Sequence, residues 1–261
     1  MFSIEDIRRI VIKTAENHFF YNFSIEEKGN KDNIVTSNDK AIQKELVREF
    51  RKLVPGSSFV CEEENFQQEE KEWTFVIDPI DGTMNYSRGL PYCCISVGLL
   101  HNGIPEMGVI YLPFTGDVYE AKRGKGAKKN GKPIHVSNRD LAHSLAFVSL
   151  APYLKEETDI SADILKEIYL KSIDHRRLGS CAVELCLLAE GKAEIYFELR
   201  VYPWDYCAGV LILKEAGGTA LSYDHEEPSY KKPSLLIAAN SRESAEEIYT
   251  IVRKNIKKLP Y

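Results

Sequence analysis

In the first twenty residues, MFSIEDIRRIVIKTAENHFF, apolar side chains return every three or four positions, so that Ile4, Ile7, Ile10, Val11 and Ala15 share one side of a helix with a charged back. Ser3 stands where a side-chain oxygen can cap the first N–H groups, and the spacing predicts an opening amphipathic helix. A second stripe, Ile42, Leu46, Val47, Phe50 and Leu53, follows Asp39 and closes at Pro55–Gly56. From residue 58 to 136 the period shortens. SFVC, WTFVID, CCISVGLL, IPEMGVIYLP and DVYEAK are β-prone runs parted by turns such as Asn102–Gly103 and Asn130–Gly131. Beyond residue 140 the two periods alternate. SLAFVSL reads as a strand, 159–171 as a helix, 180–190 as an apolar helix stopped by Gly191, and AEIYFEL as a strand. A helix from Asp205 to Ala216 ends at Gly217–Gly218, SLLIAAN is a strand, and 241–257 is a closing helix behind Ser241.

Two halves are expected from this texture. Residues 1–140 form a helix pair plus a mainly antiparallel sheet, and residues 141–261 form an α/β half. No Gly/Ser-rich linker parts them, so they are expected to pack tightly together. With 261 residues, 44% of them hydrophobic, the chain has ample material for a core. Its 34 basic and 39 acidic residues leave a net charge of −5, without the broad basic footprint of a protein that binds nucleic acid polymers. Charges interrupt the amino-terminal apolar pattern, unlike the core of a signal peptide, and the run Tyr92 to Leu100 is too short to cross a bilayer. A soluble cytoplasmic protein with no membrane partner is expected. Its six cysteines, Cys61, Cys93, Cys94, Cys181, Cys186 and Cys207, include no CxxC pair, which points to reduced thiols instead of disulfides or a zinc site.

The chemistry concentrates in WTFVIDPIDGTMNY, residues 73–86. A strand that reads as buried runs into Asp78 and, three residues on, Asp81, with Pro79 stiffening the turn between them. Asp-Pro and Asp-Gly both favour plain turns. The alternative is that Asp78, Asp81 and the Ile80 carbonyl are presented together as hard oxygen ligands, for which Mg²⁺ is the usual cation. Gly82–Thr83 adds unobstructed N–H groups and a hydroxyl, an anion cradle if a helical turn starts there. Two other acidic places fit: Glu62–Glu63–Glu64, after the strand-like SSFV, and Asp205, at the start of a helix. Acidic triplets are commonly just solvated, and an Asp opening a helix is commonly its cap. GAKKNGK, residues 126–132, begins like a nucleotide P-loop, but Pro133 follows where Ser or Thr should stand and no helix follows, so a basic β-hairpin is the better account.

These residues resemble the inositol monophosphatase superfamily of magnesium-dependent phosphatases over nearly the whole chain. VIDPIDGTMN is similar to its first signature and WDYCAGVLILKEAGG to its second. KGNKDNIVTSND, CEEEN and RRLGSCAVELCLLAEGKAEIYFE match its Lys-Asp, Glu-Glu and substrate-side segments. The resemblance implies a layered α-β-α-β-α sandwich, a homodimer, and two or three Mg²⁺ ions. Glu62, Asp78 and the Ile80 carbonyl would hold one ion, Asp78, Asp81 and Asp205 a second, and a third would lean on Glu62 near Lys28. Gly82 and Thr83 would bind phosphate, Thr83 pairing with Asp39 to orient the attacking water, with Glu63 nearby. Asp81, Cys181, Glu198 and Asp205 would meet the substrate. The expected activity is hydrolysis of inositol monophosphate or a related polyol or sugar phosphate by direct water attack. A fructose-1,6-bisphosphatase or a 3′-phosphoadenosine nucleotide phosphatase is the alternative, and a weakly active regulatory member is the reading from another class. Cys61, Asn38, Met84 and Cys181 depart from residues common in the family, and none of these changes removes a ligand.

Overall fold

The computed structural model describes residues 2–29, 33–63, 71–150 and 155–256. Glu64, the middle of the Lys28–Asp39 segment and residue 257 of the expected closing helix lie outside these residues.

Helix α1 (Ile4–His18) forms as its stripe dictates, with Ser3 and Asp6 capping each other's backbone N–H groups. Helix α2 (Ser37–Leu53) begins earlier than its stripe implies. Asp39 lies inside the first turn, and Thr36 is the cap to which it returns a hydrogen bond. Before it, β1 (Ile25–Glu27) and β2 (Ile34–Thr36) form a small antiparallel pair that the pattern does not announce. The β-prone stretch becomes β3 (Ser58–Cys61), β4 (Trp73–Asp81), β5 (Cys94–His101), β6 (Ile104–Leu112), β7 (Asp117–Lys122), β8 (Ala127–Lys129) and β9 (Lys132–Pro133), one sheet in that order. β3 and β4 run parallel, and each later pair is antiparallel. The GAKKNGK segment is the β8–β9 hairpin, not a phosphate loop.

Between β4 and β5 lies the short helix α3 (Thr83–Ser87), and after β9 come β10 (Leu145–Ser149), α4 (Thr158–Tyr169), β11 (Asp174–Arg176), α5 (Cys181–Ala189), β12 (Ile195–Val201), α6 (Pro203–Glu215), β13 (Thr219–Leu221), β14 (Ser234–Ala239) and α7 (Arg242–Ile256). Their strands form a mixed sheet ordered β11-β10-β12-β14-β13.

Strand alternation sorts the core into three apolar layers. Phe75 and Ile77 of β4 face Ile7, Val11, Ile42 and Phe50 of α1 and α2. Val76 faces the other way, into a layer with α5, α6 and Tyr196 of β12. Ile195 and Phe197 turn from that layer toward Ile164 and Ile168 of α4 and Ile248 and Val252 of α7. Helices and sheets thus stack as α1/α2, seven strands, α5/α6, five strands, α4/α7. Sheets cover α5 and α6 on both sides, which is why CAVELCLLA and CAGVLIL are apolar all round instead of striped. The contact with α6 is close: a Cβ on Gly98 would lie 2.5 Å from Cys207 Sγ. Among the described residues, no helix is long and apolar enough to cross a membrane.

Candidate active site

The site begins where β4 leaves the sheet. Asp78 lies opposite Ser96 and Asp81 opposite Cys94, and the register shifts between them, at Pro79, which has no N–H to give. Ile80 N donates to Asp78 Oδ1 at 3.1 Å. Gly82 then turns the chain with φ +88°, and a Cβ there would meet Tyr92 O at 2.8 Å, so glycine is required. The short helix α3 (Thr83–Ser87) follows. Thr83 Oγ1 lies 3.0 Å from Ile80 O and 3.3 Å from Asp39 Oδ1, which joins the first turn of α2 to the phosphate turn.

Three more elements bring acids to this point. Glu62 follows β3, and its N–H donates to Ile77 O at 3.2 Å. Asp205 lies in the first turn of α6 and accepts from Tyr202 N at 2.7 Å. It is therefore not the cap the sequence implies, since Pro203 already occupies the start of the helix. Asp81 Oδ2 accepts from Ser180 Oγ at 2.7 Å and Ala182 N at 2.6 Å, both at the amino end of α5. On the far side, Glu198 of β12 accepts from Tyr196 Oη at 2.7 Å.

One cavity of about 520 Å³ joins these groups. Glu62, Asp78, Asp81 and Asp205 line it with Ile80, Gly82 and Thr83, and Cys181, Glu198 and Lys28 complete the expected set. Two expected residues stand behind the wall. Asp39 reaches the cavity through Thr83, and Glu63 is buried between Lys28 and Gln43. Sequence reasoning singled out neither Arg177 nor Asn85, which also line it, nor the cap Ser180 that holds Asp81. For Ser180 a signal existed, a hydroxyl residue directly before an apolar helical run.

The electrostatics are those of crowded acids. Burial first, then the charges of Glu62, Asp81 and Asp205, hold Asp78 well above the usual carboxylate range. Asp205 is raised by burial and by Asp81. Burial pushes Asp81 up to about 6 in spite of its two donors at α5. Asp39 and Glu198 are each pushed up to about 7, again by burial and against the hydrogen bonds from Thr36 and Tyr196. Lys28, which burial alone would lower, is held above its ordinary value by Glu62 and Glu63. Among the described residues, no three His, Cys, Asp or Glu side chains close into a ready-made metal cage. The donor set is oxygen only, hard and anionic, and it fits Mg²⁺ better than a thiolate-preferring metal. Cys181 is no competitor: burial and the surrounding acids keep its thiol protonated.

Two large sheets interleaved with three helix layers thus carry an acid-lined cavity beside a glycine turn. The chain belongs to the inositol monophosphatase family, whose sequence profile matches residues 2–257. It is 37% identical over 196 residues to the protein of Aquifex aeolicus named fructose-1,6-bisphosphatase/inositol-1-monophosphatase, covering 75% of this chain and 74% of that one. It is 34% identical over 210 residues to the Nus factor SuhB of Pasteurella multocida, covering 80% and 78%. The solved inositol monophosphatase of Anabaena superposes with a TM-score of 0.83 at 28% identity, over 96% of this chain and 95% of that one.

Proposed function

We propose that this chain hydrolyses inositol monophosphate or a closely related polyol or sugar phosphate, using Mg²⁺ and a directly attacking water. The observation that carries the reading is the meeting of Glu62 after β3, Asp78 and Asp81 of β4 and Asp205 of α6 beside Gly82–Thr83 in one cavity. Glu62, Asp78 and the Ile80 carbonyl would hold one Mg²⁺ and Asp78, Asp81 and Asp205 a second; ions bound there supply positive charge to the phosphoryl oxygens and make water easier to deprotonate. The Gly82 and Thr83 N–H groups receive phosphate oxygens at the turn. Thr83 Oγ1, held by Ile80 O and Asp39, orients the water, and Asp39, near 7, suits proton acceptance at neutral pH. Glu63 fixes Lys28 beside Glu62. At the other end Glu198 accepts hydrogen bonds from polyol hydroxyls, with Cys181 next to it on the wall. Reaction proceeds without a phosphoenzyme, since positioning and charge supply most of the acceleration of phosphoryl transfer.

A second reading has its own support. Arg177 lines the cavity on the Glu198 side, where a second phosphate would find a cation, and the Aquifex relative carries a bisphosphatase name. The test is release of inorganic phosphate from inositol 1-phosphate, fructose 1,6-bisphosphate and 3′-phosphoadenosine 5′-phosphate, with Mg²⁺ and with EDTA. Inositol 1-phosphate should be the best substrate and EDTA should stop turnover. Turnover that persists in EDTA would remove the metal mechanism.

A further inference from the structure

Another carboxylate is buried beside the cavity without lining it. Glu184, in the first turn of α5, is fully shielded from solvent. Its Oε1 accepts from Leu178 N, the Gly179 N–H also points to it, and its Oε2 accepts from Ser149 Oγ of β10 at 3.3 Å. From the opposite side, Asn85 Nδ2 donates to Leu178 O at 2.7 Å and to Tyr92 O at 2.7 Å. Leu178 is thus held at both its N–H and its C=O. Gly179 follows with φ +82°, and a Cβ there would lie 3.3 Å from Asn85 Nδ2, so the chain passes Asn85 closely.

What this grip places is the working part of the substrate wall. Ser180, two residues after Leu178, donates to Asp81 Oδ2 and accepts from Val183 N at 3.3 Å. Ala182 N completes the hold on the same oxygen. Arg177, directly before Leu178, lines the cavity and draws on Glu198.

We infer that Glu184 is a positioning residue, which together with Asn85 clamps the Leu178–Ser180 segment and through it sets the orientation of Asp81 and the place of Arg177. The kinetic consequence rests on the phosphatase reading; the consequence for cation binding does not. The clamp works through acceptor geometry and not through charge. Burial pushes Glu184 up to about 8, and a glutamine keeps the oxygen that accepts from the Leu178 and Gly179 N–H groups, while its Nε2 donates to Ser149 Oγ, a hydroxyl that can reverse its role. Glutamine should therefore replace it and alanine should not.

The experiment compares wild type, Glu184→Gln, Glu184→Ala and Asn85→Ala. Mn²⁺ alone is titrated into each by calorimetry, and kcat and KM for inositol 1-phosphate are measured separately. Glu184→Ala is expected to lose about 10- to 100-fold in Mn²⁺ affinity, the usual cost of removing a group that orients a metal ligand. Its KM should rise and its kcat fall, Asn85→Ala should move the same quantities less far, and Glu184→Gln should stay close to wild type. Wild-type Mn²⁺ affinity in Glu184→Ala, or a Glu184→Gln protein as weak as Glu184→Ala, overturns the inference. Should Glu184→Ala fail to fold, Asn85→Ala decides in its place, and unchanged Mn²⁺ affinity there overturns the clamp. If wild type cleaves no phosphate ester while the Mn²⁺ titrations separate alanine from glutamine as stated, the phosphatase reading falls and the clamp stands.

Discussion

Buried carboxylates keep opposite company in two regions of this molecule. Directly before β12, Glu194 is 1% exposed and is met by Arg139, by the Ser137 hydroxyl and by Leu145 N–H. In β7, Glu120 is met by Arg8 at 2.9 and 3.0 Å. At the end of β4, Asp78 is 2% exposed, and the strongest charges acting on it are Glu62, Asp81 and Asp205, all of its own sign. Glu194 and Glu120 thus carry their own counter-charge, from Arg139 and Arg8. Where like charges gather around the cavity instead, a held proton or a bound cation would offset the cost of burying them. Burial by itself says little about an acid's purpose, and the sign of its neighbours says much more.

The sharpest way to break this contrast is Asp78→Asn. Phosphate release should fall by about 100-fold or more, since the loss of a group behind a metal ligand already costs about 10- to 100-fold. In EDTA the same substitution should raise the melting temperature, because a neutral amide of similar shape replaces a repelled, buried acid. Melting in EDTA below wild type would show that Asp78 is satisfied by the protein alone.

Next in size is the dependence of stability on pH. Asp81 lies near 6 and Asp39 and Glu198 near 7, with Asp78 and Asp205 also raised, whereas unfolded carboxylates titrate near 4. Between those values the folded chain holds protons that the unfolded chain has released. Stability of the metal-free protein is therefore fully present below the unfolded values and is lost as pH rises through about 6 to 7 and beyond. Added Mg²⁺ should take the place of those protons, so its protection should grow along the same axis. Thermal melts in EDTA and in excess Mg²⁺, from about pH 5 to about pH 8, should diverge as pH rises. An EDTA curve that climbs with pH would contradict the crowded-acid account.

The same contrast separates what the residues announce from what they conceal. The DPIDGT turn is legible because its six residues carry their own reasons, a proline that withholds an N–H and a glycine in the left-handed region. Asp39 and Asp205 are legible as acids near helix starts, but each lies inside the first turn. Thr36 three residues before Asp39, and Pro203 two before Asp205, are the local signals that place them correctly. The pair β1–β2 gives little warning, for every residue of β1 is exposed and no alternation builds up. The clamp on Leu178 is the least visible part. Ser180 and Asp81 are 99 residues apart, and only the packing of α5 against the end of β4 joins them. Glu184 did leave a trace, a single acid inside the apolar CAVELCLLA, where a buried polar group must find partners.

The smallest expected effect lies on the paired side of the comparison, at Glu194→Gln. Glu194 does not line the cavity, so kcat and KM should stay at wild-type values. Stability should fall by about 1–3 kcal/mol, the cost of leaving a charged partner and a buried donor less well met. The lower end is favoured because Arg139 is 49% exposed and water can take over part of its solvation. Urea unfolding in excess Mg²⁺ measures this without interference from the acid cavity. The decisive quantity is the sign relative to Asp78→Asn in EDTA. Both changes turn a buried acid into its amide, and stabilisation at one site with destabilisation at the other can come only from the charges around them, since the chemistry of the substitution differs by one methylene.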